Sequence, residues 1–102
     1  MIIIRRNVGE HSLTVQGHAD GARNGHDHDL LCCAVSTILQ TLVASLIAMD
    51  DREPVYSLKP GDSYVQAHPD VRDWRGVKAR FDMAMDGLRC LAAHNPDNLK
   101  IE

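Results

Sequence analysis

Two short segments near the start of the chain have hydrophobic patterns that favour β-strands. Ile2 to Arg6 is a β-branched run, and Ser12 to Gln16 places Leu13 and Val15 between polar neighbours. A period of two residues is typical of a strand with one buried face. Residues 7–10, with the sequence Asn-Val-Gly-Glu, supply turn chemistry between the two segments. The pattern therefore predicts a β-hairpin.

The period of the hydrophobic positions then lengthens to that of a helix. After Asp29, a residue type favoured at helix N-caps, apolar side chains recur at spacings of three and four as far as Ile47. Residues 50–54 end this first helix. A second amphipathic stripe begins near Asp73 and stops at the Asn-Pro-Asp segment of residues 95–97. Two helices are predicted, each with one face toward a core.

Between the helices, Val55 to Leu58 and Ser63 to Ala67 flank a Lys-Pro-Gly-Asp turn, which predicts a second hairpin. Leu99 to Glu102 can add a short last strand. The order ββαββα(β) predicts an α+β fold, with two helices packed on a mostly antiparallel sheet. A length of 102 residues fits a single domain over residues 1–102.

Composition narrows the function classes. The net charge is −3 without a cluster of basic residues, and aromatic residues make up only 4% of the chain. Phosphate neutralisation needs several clustered cations, and single-strand binding needs stacking platforms, so direct nucleic-acid binding is not expected. The three cysteines, two of them adjacent, make no sensible disulfide framework, which favours a reducing cytoplasm.

The apolar segments do not predict a membrane protein. The first six residues, MIIIRR, lack a charged region before their apolar run, so they are not expected to be a signal peptide. The longest apolar segment, Leu30 to Met49, is interrupted by serine, threonine and glutamine. It is expected to be a buried helix and not a membrane span.

The chemistry is concentrated between Gly17 and Cys33. Gly17 to His28 has no apolar period and is predicted to be a loop, long enough to favour a functional role. If Asp29 caps the helix, Cys32 lies in its first turn, where unpaired backbone N–H groups and the helix dipole favour a thiolate and could stabilise an oxyanion. His18, at the end of a strand, could serve as the base for this thiol. An orienting carboxylate is available from Asp20, Asp27 or Asp29.

The same cysteines and histidines also fit two non-catalytic roles. A cysteine on a helix is most often a small core residue, and core packing is the expected role of Cys90. A zinc site is the second alternative, with His18, His26, His28 and Cys32 as ligands. That spacing is not a recognised finger pattern, and no second Cys-x-x-Cys pair completes it. No other cofactor is expected.

Taken together, these residues resemble the ribosomal-processing cysteine proteases of the Prp family. That family has a Gly-His-Ala triplet, a glycine-containing loop that ends in aspartate, and an apolar pair before a cysteine that opens a helix. The matching segments here are Gly17-His18-Ala19, Asp29-Leu30-Leu31-Cys32 and Ala34-Val35-Ser36, with weaker matches at Asp86-Gly87-Leu88, Asn95-Pro96 and Leu99-Lys100-Ile101.

The resemblance implies endoproteolysis by a Cys-His dyad, with Cys32 as nucleophile and His18 as base. It implies Asp29 and Ser36 as supporting residues, a peptide substrate from the N-terminal extension of a large-subunit ribosomal protein, and a homodimer. It also implies a flexible lid over the bound peptide, formed by the loop that contains Gly17, Asp20, Gly21, Gly25 and Asp27.

Two features depart from the family pattern. The segment between His18 and Cys32 is about two residues longer than usual, with the extra residues near His26 to His28, which can alter the lid and the substrate. Cys33 stands where the family generally has a small residue, so it is a rival nucleophile. The spacings to Asp29 and Ser36 favour Cys32. The alternative to a protease is a non-catalytic ribosome-associated module or a zinc-binding one.

Overall fold

The computed structural model describes residues 1–18 and 25–102, with residues 25–29 described by their backbone alone. The elements in these ranges are β1 (Ile2–Asn7), β2 (Ser12–Gln16), α1 (Gly25–Met49), β3 (Val55–Lys59), β4 (Asp62–Gln66), α2 (Trp74–His94) and β5 (Leu99–Ile101). The predicted order ββαββαβ is confirmed, including the short last strand.

The strands form one sheet in the order β3-β4-β2-β1-β5. The two predicted hairpins, β1–β2 and β3–β4, are antiparallel, and β4 pairs antiparallel with β2. The β5 strand runs parallel to β1, with Ile2 opposite Leu99. The sheet is therefore mixed, although antiparallel pairs predominate as predicted.

Both helices contribute to one core on a single face of the sheet. Alternate residues of the strands, such as Ile4, Leu13 and Val65, have no exposed surface, and neither does Phe81 of α2. The residues between them in β1, β2 and β4 are exposed or half-buried on the opposite face. This arrangement explains the strand period of two and the helical stripes in the sequence.

The α1 helix begins at Gly25 and not after Asp29, so the predicted N-cap is wrong. Gly25 and Asp27, predicted to belong to the loop, have a helical backbone instead. An N-cap contributes only about 1 kcal/mol, whereas each residue added to an existing helix forms a further backbone hydrogen bond. A favourable cap residue therefore does not by itself fix where a long helix starts.

The apolar composition of α1 is explained in part by its core-facing side. By length and composition alone, Leu30–Met49 would be apolar enough to cross a membrane. In this fold, the apolar residues of one face pack into the core: Leu31, Val35, Leu39, Leu42, Val43 and Leu46.

Both ends of α2 match the local sequence. The backbone N–H of Gly76 donates a hydrogen bond to the side chain of Asp73, the N-cap, over 2.8 Å. Asn95 caps the other end, and its backbone N–H donates to the carbonyl of Leu91. The predicted bounds of this helix are confirmed. They could be predicted because polar cap residues at both ends and a following proline mark them in the sequence.

Candidate active site

A cleft of about 440 Å³ lies between α1, the end of β2 and the turn that joins β3 to β4. Its polar and backbone lining includes Gly17, His18, Cys32, Cys33, Ser36, Gln40, Lys59, Pro60, Gly61 and Ser63. Its apolar lining consists of Ile2, Val15, Val35, Leu39 and Leu58. Five residues predicted to matter for function, Gly17, His18, Cys32, Cys33 and Ser36, thus share one cavity.

The end of β2 delivers His18 to the cleft. Gly17, which precedes it, has a positive φ of 95°, and a Cβ there would lie 2.2 Å from the carbonyl oxygen of Met1. Glycine is therefore required by both conformation and space. The Gly17 N–H donates to the carbonyl of Gly61 over 2.9 Å, and the amino group of Met1 donates to the His18 carbonyl over 2.5 Å. The backbone around His18 is thus held on two sides, and its side chain is exposed.

The α1 helix delivers the thiols. Cys32 is half-buried and packs against the core, whereas Cys33 is exposed. Ser36 follows Cys32 by four residues, so the two lie on the same face of the helix. Both thiols line the cleft, but they differ in burial. Cys32 packs against the core, whereas Cys33 does not.

The position of Cys32 within α1 differs from the prediction. The helix begins at Gly25, seven residues before Cys32, so the free N–H groups of residues 25–28 lie roughly 6–10 Å along the axis from Cys32. The dipole effect falls off within the first turn, and Cys32 lies beyond that turn. The predicted role of helix-start N–H groups as oxyanion donors at Cys32 is wrong for the same reason.

The cleft combines two thiols, an imidazole and apolar walls. Among the described lining residues, Lys59 is the only lysine, arginine, aspartate or glutamate. Among the described side chains, no hydrogen bond joins His18 to Cys32. Catalytic hydrogen bonds are often long or absent without substrate and tighten in the complex. An imidazole and a thiol in a shared cavity can carry out acyl transfer through a covalent thioester.

Several predicted residues lie outside the described part of the chain. Asp20 and Gly21 belong to residues 19–24, and the side chains of Asp27 and Asp29 are not described. The same holds for His26 and His28, so the zinc alternative falls largely on undescribed side chains. Within the described residues, no group of three histidine, cysteine or acidic side chains is placed to hold a metal ion.

Cys90 is exposed on α2, so the prediction that it packs in the core is wrong. The apolar stripe of α2 follows Val77, Phe81 and Leu88. Cys90 follows Leu88 by two residues, so it lies on the other side of the helix and faces solvent.

Sequence reasoning missed the contribution of the β3–β4 turn and of Gln40. The Pro-Gly turn was predicted from local chemistry, but its place beside His18 depends on the pairing of β2 with β4. Gln40 lies eight residues after Cys32, on the same helical face. That spacing was a usable signal, and it extends the polar lining of the cleft by one more turn.

An α+β fold that places a half-buried thiol and an imidazole in one cleft is typical of a thiol-dependent hydrolase. Residues 1–100 match the family model described as cysteine protease Prp. The chain therefore belongs to this cysteine protease family.

Solved structures agree with the family at the level of the fold. The chain is similar to the essential ribosomal processing protease Prp from S. aureus in complex with a covalently linked product peptide, with a TM-score of 0.75 and 19% identity over 99% of this chain and 95% of that one. The same S. aureus protease in complex with a substrate peptide gives a TM-score of 0.75 at 16% identity, with the same coverage. SMU.848 from Streptococcus mutans gives 0.72 at 23% identity, over 99% and 90% of the two chains. The comparison with curated protein sequences gives no significant match.

Proposed function

We propose that this protein is a cysteine endopeptidase in which His18 activates the thiol of Cys32. The observation that carries the proposal is that these two side chains line the same cleft, although they are fourteen positions apart in sequence. Membership of a cysteine protease family supports it. The half-buried position of Cys32 supports the choice of this thiol over the exposed Cys33.

In the first half of the reaction, a ring nitrogen of His18 accepts the proton from the Cys32 thiol. The thiolate attacks the carbonyl carbon of the scissile peptide bond, and the carbonyl π electrons move onto oxygen. When this tetrahedral intermediate collapses, the C–N bond breaks and the imidazolium gives its proton to the leaving amine. A thioester on Cys32 remains.

In the second half, His18 accepts a proton from water, and the oxygen of that water attacks the thioester carbonyl. Collapse breaks the C–S bond, releases the carboxyl product and returns the proton to sulfur. Ser36 lines the cleft one turn after Cys32, and its hydroxyl can donate a hydrogen bond to the substrate or to the oxyanion. This role takes the place of the helix-start N–H groups.

The substrate that we propose is the N-terminal extension of a large-subunit ribosomal protein. Support comes from the similar S. aureus protein, which is a ribosomal processing protease solved with a substrate peptide and with a covalently linked product peptide. The apolar walls of the cleft, which include Val35, Leu39 and Leu58, suit a substrate with apolar residues next to the cleavage site.

We further propose that the protein works in the cytoplasm as a homodimer, as its family resemblance implies. The free thiols of Cys32, Cys33 and Cys90 suit a reducing compartment. Light scattering after gel filtration should give twice the 11.3 kDa mass of the chain. A mass of one chain at micromolar concentration would contradict the dimer.

The cleavage test uses a synthetic peptide that spans the extension and the first mature residues of the ribosomal protein from the same genome. Wild-type protein should cut it once, and Cys32→Ser should abolish cleavage because a serine hydroxyl is a much weaker nucleophile here. Loss of the general base in His18→Ala should lower kcat/KM by roughly 10²–10⁴-fold. Product masses identify the cleavage site.

Cys33→Ser is the matched control, since it makes the same chemical change one residue away. It should cleave at close to the wild-type rate. Full activity in Cys32→Ser would overturn the nucleophile assignment, and activity lost only in Cys33→Ser would move it by one residue.

A further inference from the structure

The β3–β4 turn is hydrogen-bonded to the backbone of Gly17, the residue before His18. Gly61 is the second residue of this Pro-Gly turn, and its φ of 77° lies in the left-handed region. Its carbonyl accepts the hydrogen bond from the Gly17 N–H. The turn therefore has a fixed position relative to the strand end that carries the histidine.

The imidazole of His18 lies directly against Gly61. A Cβ added at Gly61 would come within 2.3 Å of the ring nitrogen Nε2 and 2.6 Å of the ring carbon Cε1. Both distances are far below van der Waals contact, so no side chain fits at this position while the ring stays in place. A side chain at position 61 would therefore strain the backbone, because φ is positive, and would displace the ring of His18 from its present position.

We propose that Gly61 is a positioning residue for catalysis, because it provides the bare backbone surface against which the His18 ring is seated in the cleft. This inference rests on the proposed function, in which His18 is the base. A base acts only within hydrogen-bond reach of the group that it deprotonates. A side chain at position 61 displaces the ring from its seat, and a displacement of about 1 Å can cost 10²-fold in rate.

The chain offers a matched control in Gly9. A Cβ at Gly9 would meet only the Oδ1 of Asn7, at an ordinary contact distance of 3.6 Å, and the φ of Gly9 is not positive. This glycine lies in the turn of the other hairpin and does not line the cleft. Gly9→Ala therefore adds the same methyl group without touching the histidine.

The test compares the peptide-cleavage kinetics of Gly61→Ala, Gly61→Asn and Gly9→Ala. Asparagine tolerates a positive φ better than alanine, so Gly61→Asn retains the clash with the ring while relieving part of the backbone strain. We expect kcat to fall by roughly 10–100-fold in both Gly61 variants, with KM changed little. Gly9→Ala should behave like the wild type. A folded Gly61→Ala with the wild-type kcat would overturn the inference.

A thermal unfolding cycle separates this inference from the proposed function. Gly61→Ala should lower Tm less in the His18→Ala background than in the wild type, because the ring that the methyl group would strike is absent there. Equal losses in the two backgrounds would show that Gly61 serves the turn alone. The proposed function fails if the wild type cuts no peptide or if His18→Ala cuts as fast as the wild type. In either case, the thermal unfolding cycle still decides whether Gly61 contacts and positions the ring of His18.

Discussion

Asp82 of α2 pairs with Arg6, a residue distant in sequence, and its pKa is lowered. Its carboxylate accepts a hydrogen bond from Lys78 over 2.7 Å and another from Arg6 of β1. These two cations, Lys78 first, lower the pKa of Asp82 to about 2. Arg6 is only 11% exposed, and its Nε and Nη2 atoms are buried without a hydrogen-bond partner. Asp82 is therefore its main electrostatic compensation among the described residues.

This arrangement predicts a pH dependence of stability with a defined sign. Because folding depresses the pKa, the contribution of Asp82 is complete above the unfolded-state value of about 4 and is lost as the pH falls to about 2. Asp82→Asn should lower Tm at neutral pH and flatten the dependence of Tm on pH between these two values. Thermal unfolding followed by circular dichroism at several pH values measures both effects.

The control for this prediction is Asp86→Asn, on the same helix. The Asp86 side chain is 78% exposed and lies 3.4 Å from Arg89. Exposed pairs of this kind contribute little. If Asp86→Asn and Asp82→Asn changed the pH profile equally, the proposed Arg6–Asp82–Lys78 network would be wrong.

At the scale of single elements, agreement with the sequence depends on whether a boundary is marked locally. The α2 helix has Asp73 as its N-cap and Asn95 as its C-cap, and both bounds were predicted. The α1 helix ends as predicted, but it begins before its apolar stripe does. Apolar spacing marks only the residues that face a core, so residues 25–29 carried no signal that distinguished a helix from a loop.

The cap of α2 supplies a prediction at this scale. Asp73→Ala removes the acceptor for the Gly76 N–H and should lower the free energy of unfolding by about 1 kcal/mol. Asp73→Asn retains an acceptor of similar rank at an N-cap and should remain close to the wild type. Urea unfolding curves compare the two. A large loss in Asp73→Asn would show that charge, and not capping, is what stabilises this end.

At the scale of the whole molecule, the candidate site is a product of the sheet order. Local pattern was sufficient to predict that both hairpins and both helices exist, and it singled out His18 and Cys32 as candidates. It was not sufficient to place the Pro60-Gly61 turn against His18, because this depends on the pairing of Gln16 with Asp62 between strands that a long helix separates. Long-range pairings of this kind leave no periodic trace in either strand.

The same sheet order explains why the site is built at one end of the fold. The β2 strand ends there, the β3–β4 turn lies beside it, and α1 contributes lining residues between Cys32 and Gln40. In the proposed function, each of the three elements contributes a different part: the base, its seat and the nucleophile. Our central claim is that base and nucleophile act on each other in this cleft.

The most direct measurement of that claim is covalent trapping with a peptide chloromethyl ketone that carries the proposed substrate sequence. Intact mass and peptide mapping should locate one label per chain at Cys32, at a rate unchanged in Cys33→Ser and strongly reduced in His18→Ala. A label on Cys33 or Cys90 with Cys32 unmodified, or equal labelling rates with and without the His18 ring, would contradict it.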